Sequence, residues 1–224
     1  EIAAVLKPRF AIITNIGTAH IGILGSRQAI AEEKANIFSH FKGIGTAFIP
    51  KDDDFADFLT GRVDGNVVYY GTSCDADISD VVDLGLAGTK FCISRKETIL
   101  PLPGKYNFTN ALAALSLAKF LGLSSDQLSS GIKEIKSIFG RSQILHGKYT
   151  IVQDCYNANP DSMEKAVSMV ASLSGGQRRF LVLGDMLELG ENGPALHRGR
   201  DRDPAASERR NPGFREDPVH RGHP

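Results

Sequence analysis

At 224 residues the chain is long enough for one large or two modest domains, and 42% hydrophobic residues give it an ample core. Lys and Arg balance Asp and Glu at 26 each, which argues against a general nucleic-acid or membrane surface and leaves small molecules as the expected partners. Cys74, Cys92 and Cys155 are odd in number, without paired metal-ligand spacing, and no apolar run is long enough to span a bilayer, so a cytoplasmic protein with reduced thiols is expected.

Phe10-Ala11-Ile12-Ile13 has the length and apolarity of a strand, and Thr14 to His20 leaves it through a loop containing Gly17. His20 therefore falls near a strand's carboxyl end. A lone loop histidine is more often structural than a ligand, although imidazole suits a metal. Ser26 then caps a helix with Ile30, Ile37, Phe38 and Phe41 on one stripe. Lys34 shares that stripe, four residues from Ile30 and from Phe38, so its stem runs along apolar surface. Its amine either snorkels to water or is partly desolvated. In the second case its pKa falls, and it can add carbon dioxide to become a carboxylate able to bind Mg2+.

The run through Thr14-Asn15-Ile16-Gly17, His20, Leu24-Gly25-Ser26 and Ala31-Glu32-Glu33-Lys34-Ala35-Asn36 resembles the central domain of the Mur ligases. Folylpolyglutamate synthases share some of it. The resemblance implies that His20 is a Mg2+ ligand and that Lys34 is a lysine that becomes carbamylated.

Thr46 to Pro50 and Val67 to Tyr70 read as strands flanking a short acidic helix from about Asp53 to Leu59. Asp52-Asp53-Asp54 is read as a solvated helix start without chemistry. From Ile78 to Leu100 the pattern turns to short alternating strands, a small antiparallel addition to the main sheet. Pro103-Gly104-Lys105-Tyr106-Asn107-Phe108-Thr109-Asn110 leads into an Ala- and Leu-rich helix ending near Gly122. This segment is similar to the Mur ligase stretch that holds the adenine of ATP, which implies nucleotide contacts at Asn107 and Asn110. The family usually has His where this chain has Tyr106. Ser124 to Gln127 has capping-box spacing for the next helix. Gly140-Arg141 then marks a turn, and the resemblance places Arg141 at a hinge, facing the ATP phosphates.

Tyr149 to Gln153 reads as a strand and Asn159-Pro160 as a helix start, with Met163, Ala166, Val167 and Val170 at helical spacing. Gly175-Gly176 ends that helix and Phe180 to Leu183 reads as a fully apolar strand, completing a βαβ unit. Ligands gather at the carboxyl ends of such strands, where Asp154, Tyr156, Asn157 and Asn159 stand, although the same residues also serve simply as turn and cap formers. The run Asp154 to Met163, with Leu183-Gly184-Asp185-Met186-Leu187-Glu188-Leu189-Gly190, resembles the Mur ligases that add D-alanyl-D-alanine to UDP-N-acetylmuramoyl-tripeptide. By that resemblance Asp154 bonds the ribose, and Tyr156, Asn157 and Asn159 line the substrate cleft.

The sequence contains no G-x-x-G-K-T loop to cradle ATP phosphates. Residues 198–224 hold seven Arg and four Pro without periodicity, the composition of a disordered or out-of-frame tail. The expectation is an α/β chain: a partial central ATPase-like Mur ligase domain at 1–139, the start of a Rossmann-like C-terminal domain at 140–197, and the tail. The resemblance implies a piece of a monomeric, cytoplasmic, ATP- and Mg2+-dependent ligase of peptidoglycan precursor synthesis, serving cell wall, shape and division. The chain alone is expected to be inactive. The alternatives are a folylpolyglutamate synthase-like ligase and a non-catalytic remnant.

Overall fold

The computed structural model describes residues 2–175 and 178–197. A parallel sheet is built from β1 (Phe10–Ile12), β2 (Gly45–Pro50) and β3 (Gly65–Tyr70), in that spatial order. Ala47 pairs with Ala11 on one side and Val67 on the other. All six residues of the central strand are buried, as a parallel strand covered on both faces requires.

Because side chains alternate along β2, the strand divides the core in two. Ala47 and Ile49 join one cluster, which α3 (Arg27–Ala35) and α4 (Ala56–Thr60) cover with Ile30, Ala31, Ala35, Ala56 and Leu59. Two further short helices, α1 (Ile2–Leu6) and α2 (Ile21–Leu24), flank β1 in sequence. Phe48 points into the other cluster, against α5 (Lys105–Phe120), α6 (Ser125–Lys133) and an antiparallel sheet of β4 (Ile78–Asp83), β5 (Thr89–Ile93) and β6 (Lys96–Leu100). Phe91 of β5 meets Phe108 of α5 edge to face, with ring centroids 5.0 Å apart. The antiparallel strands expected between 78 and 100 are present, but they form a sheet of their own and not an addition to the main one: among the described residues no strand of the two ladders pairs across, and the sheets meet only through packed side chains.

Ser124 forms a capping box with Gln127, each side chain bonding the other's backbone N-H. Ser124→Ala should lower stability by about 1 kcal/mol, read as a shift in the urea midpoint with an unchanged slope.

The C-terminal part begins with an antiparallel hairpin, β7 (Gln143–His146) and β8 (Thr150–Gln153), followed by α7 (Pro160–Ser172) and the short α8 (Gly193–His197). Asn159 caps α7 through Ser162, and Pro160 takes the first helical position, as the sequence indicates. Phe180 to Leu183, however, is not a strand: Phe180 is 83% and Val182 98% exposed. A strand exists through its ladder, and among the described residues no strand pairs with this segment. The expected βαβ unit is therefore β8 and α7 without a return strand. The acidic helix is also shorter than expected, starting at Ala56. Gly176 and the expected tail at 198–224 lie outside the described residues.

Candidate active-site cleft

The loop leaving β1 is held by four side chains. Tyr70, buried at the end of β3, donates its hydroxyl to the Ile13 carbonyl at 2.8 Å, and that burial pushes its phenol pKa well up. Asp53 accepts the Ile16 N-H at 2.9 Å and, through its other oxygen, the Phe55 N-H at 2.9 Å. Arg27 donates to the Ile16 carbonyl at 2.7 Å while forking onto both oxygens of Asp54 at 2.6 Å. The hydrogen-bonded pair raises the Arg27 pKa and holds the Asp54 carboxyl below its ordinary value. Lys34 reaches the same loop, its Nζ donating to the Asn15 carbonyl at 2.8 Å. It is half-buried, and desolvation lowers its pKa. The aspartates read as a solvated helix start thus anchor the loop, a role their local spacing does not reveal.

Two contacts bring this loop against the C-terminal part. Asp161 Oδ2, in the first turn of α7, accepts from the Thr18 backbone N-H at 2.6 Å and the Thr18 hydroxyl at 2.8 Å. The approach is close enough that a Cβ added at Gly17 would sit 2.6 Å from Asp161 Oδ2 and force that side chain to shift. At the second contact the Glu188 carboxylate accepts from His20 Nδ1, and the Glu188 carbonyl accepts the Gly22 N-H at 2.8 Å. Both His20 and Glu188 have left-handed backbones, with φ of 64° and 61°. Such conformations cost non-glycine residues on the order of 1 kcal/mol each and recur where a site over-determines its geometry. Beside the first contact opens a cavity of about 350 Å³, lined among others by Asn15, Arg27, Asp53, Asp161, Glu164 and Lys165.

A second group gathers around the start of α5. Asn107 donates to the Pro103 carbonyl at 2.7 Å, and Asn110 lies exposed one turn on. Tyr106 Oη meets Ser142 Oγ at 2.5 Å, and the Ser142 N-H donates to Asp154 Oδ1 at 3.2 Å. Burial raises the Tyr106 phenol pKa. The Arg141 guanidinium lies 4.2 Å over the Tyr156 ring, and the Tyr156 N-H donates to the Gly140 carbonyl at 3.1 Å. A cavity of about 370 Å³ opens beside Ser142, with Leu86, Pro101, Pro103, Ile135 and Ile144 among its apolar lining and Lys136, Ser137 and His146 among its polar lining. Asn157 Oδ1 accepts the Ala158 N-H and Asn159 Oδ1 the Ser162 N-H, so both amides serve their own turn and cap.

The structure therefore joins Tyr106 to Asp154 through Ser142, and joins His20 to Glu188, while His20 and Lys34 keep separate partners. Among the described residues no group of three or more His, Cys, Asp or Glu is arranged to hold a metal ion. Lys34 as an ammonium repels a cation, so the donor set fits Mg2+, which prefers oxygen, only once Lys34 carries a carbamate. Thr18, Asp161 and Glu188 were given no individual role by the sequence. Glu188 stands in a family-like run, but an acid at the second position of α7 reads only as a dipole partner.

Residues 1–118 match the Mur ligase middle domain, and residues 140–206 match the Mur ligase, glutamate ligase domain. The first match alone covers more than half of the chain. The chain belongs to the Mur ligase family. It is 42% identical over 196 residues to the UDP-N-acetylmuramoyl-tripeptide--D-alanyl-D-alanine ligase of Treponema pallidum, an alignment covering 88% of this chain and 42% of that protein. The Mur ligase MurF of Acinetobacter baumannii superposes with a TM-score of 0.78 at 28% identity, over 87% of this chain and 44% of that one. MurF from Thermotoga maritima, in complex with ADP, superposes with a TM-score of 0.73 at 26% identity, over 88% and 47%. The likeness to folylpolyglutamate synthase from Mycobacterium tuberculosis is weaker, with a TM-score of 0.59 at 24% identity, and shows the fold alone. The chain thus spans less than half the length of the Mur ligases it matches. Its α/β fold is that of their middle domain followed by part of their C-terminal one. No helix among the described residues is long and apolar enough to cross a membrane.

Proposed function

We propose that this chain is part of an ATP-dependent ligase that joins D-alanyl-D-alanine to UDP-N-acetylmuramoyl-tripeptide, in cytoplasmic peptidoglycan precursor synthesis. The observation that carries the reading is the 42% identity, over 88% of this chain, to a relative of that name. In the reaction the tripeptide carboxylate attacks the γ-phosphorus of ATP, giving an acyl phosphate and ADP. The dipeptide amine then attacks the acyl carbon, forming the amide, losing a proton and expelling phosphate.

The protein's part is positioning and charge neutralisation. Arg141 would face the transferring phosphoryl group, released from its stacking on Tyr156. Asp154 would accept from the ribose and Asn107 and Asn110 would meet the adenine, for which the apolar side chains of the cavity beside Ser142 offer a wall. Tyr156, Asn157 and Asn159 would line the substrate cleft. His20 and a carbamylated Lys34 would hold Mg2+, which when bound neutralises phosphate charge. We place the change from middle to C-terminal domain between residues 139 and 140, and take the working unit to be a monomer.

Because the 224 residues include no G-x-x-G-K-T stretch, the chain alone should release no ADP when given ATP, UDP-N-acetylmuramoyl-tripeptide and D-alanyl-D-alanine. ADP release dependent on the tripeptide would refute that expectation. The ligase reading is tested by a chimera in which residues 1–197 replace the matching stretch of the Treponema pallidum relative. Phosphate release dependent on D-alanyl-D-alanine is the expected result. A folded chimera that is silent, or that responds to glutamate instead, would overturn it.

A further inference from the structure

We propose that Tyr106 is a positioning residue, acting through Ser142 to set Arg141 and Asp154 for the nucleotide. The proposal rests on the ligase reading of those two residues and extends it to side chains that reading leaves out.

The ring of Tyr106 is seated on Gly104, which has φ of 90° and whose added Cβ would lie 2.6 Å from the ring. The hydroxyl is thereby aimed at Ser142, 36 residues away, and bonds its Oγ at 2.5 Å. Ser142 is 2% exposed, and its φ of 51° is left-handed. A buried hydroxyl without a partner is costly, and a strained backbone persists only where its surroundings hold it. Tyr106 meets the first requirement. Asp154, which accepts the Ser142 N-H at 3.2 Å, helps meet the second.

Ser142 therefore sits between the first turn of α5, which carries Asn107, and Asp154, the residue that follows β8. Arg141 is its chain neighbour. The turn is closed on its far side by Gly140, whose carbonyl accepts the Tyr156 N-H at 3.1 Å while the Arg141 guanidinium covers that tyrosine's ring. A shift of Ser142 moves both Arg141 and Asp154 relative to Asn107. The phenol is thus the pin that fixes the two nucleotide-facing groups of the C-terminal part against the helix of the middle domain.

The test uses the 224-residue chain with ADP as the probe, followed by NMR shift changes, together with hydrogen exchange at the Ser142 and Tyr156 amides. Wild-type chain should bind ADP in about the millimolar range. Tyr106→Phe, which keeps the ring and removes only the hydroxyl, should weaken binding about tenfold and speed exchange at both amides. Ser142→Ala should do the same, and the double variant should be no worse than either single one, as two ends of one contact require. Wild-type binding with unchanged affinity and protection in Tyr106→Phe would overturn the proposal while leaving the nucleotide reading intact. Additive losses in the double variant would overturn it equally. Absence of any ADP response in the wild-type chain would defeat the nucleotide reading itself, and the positioning role with it.

Discussion

Gly22→Ala is expected to part the two loops of the cleft and cut ligase turnover in the chimera by about 100-fold. The added Cβ would stand 2.2 Å from Gly190 N, 2.4 Å from the Glu188 carbonyl oxygen and 2.6 Å from Leu189 C. All three are backbone atoms, so no side chain can swing aside. The loops must separate by roughly 1 Å, a displacement large enough to cost two orders of magnitude when it moves a reacting group. The separation breaks the Gly22 to Glu188 backbone bond and pulls Glu188 away from His20. His20 then loses the carboxylate that fixes its ring while keeping a strained backbone. Gly184→Ala is the control, since among the described residues no atom beyond its chain neighbours lies within 4 Å of its added Cβ. Turnover and hydrogen exchange over residues 20–24 and 187–190 should change in Gly22→Ala and stay unchanged in Gly184→Ala. Equal behaviour of the two would show that the contact does not organise the site.

What the sequence reveals and what it hides divide along the distance between interacting residues. The buried strand at 45–50, the antiparallel strands between 78 and 100 and the capping boxes at Ser124 and Asn159 all rest on neighbours a few positions apart, and their signals are local. Lys34 is half-buried, as helical spacing suggests, although the helix ends at Ala35, and Phe38 and Phe41 of the expected stripe lie beyond it. Phe180 to Leu183 has an equally clear local signal, yet it forms no strand, because pairing depends on partners elsewhere in the chain. The Thr18 to Asp161 and His20 to Glu188 contacts span 143 and 168 residues. Both carboxylates stand in runs that resemble the Mur ligases, yet nothing in those runs names Thr18 or His20 as the partner. Tyr106 falls between these cases: the family resemblance marks its position as unusual, and only the fold shows Ser142 as the partner of its hydroxyl.

Lys34→Arg is the variant that decides what Lys34 does. In one account the side chain is a cation that ties down the Asn15 carbonyl, which it reaches at 2.8 Å. Arginine, with its own N-H donors, can replace it in that role, and the chimera would keep most of its turnover. In the other account the amine adds carbon dioxide, forming an N–C bond, releasing a proton and becoming a carbamate. Only a neutral amine can do this, and burial lowers the Lys34 pKa from its ordinary value, so a larger fraction is neutral at any pH below that value. Arginine, always protonated, cannot follow. The expected result is a carbamate carbon signal in wild-type chain incubated with 13C-bicarbonate, lost in Lys34→Arg. Turnover of the chimera should fall by about 100- to 1,000-fold, the scale for removing one group that stabilises developing charge. The Asn15 contact predicts the opposite outcome for the same substitution, so retained turnover in Lys34→Arg would assign the lysine to the loop and leave His20 without its proposed companion.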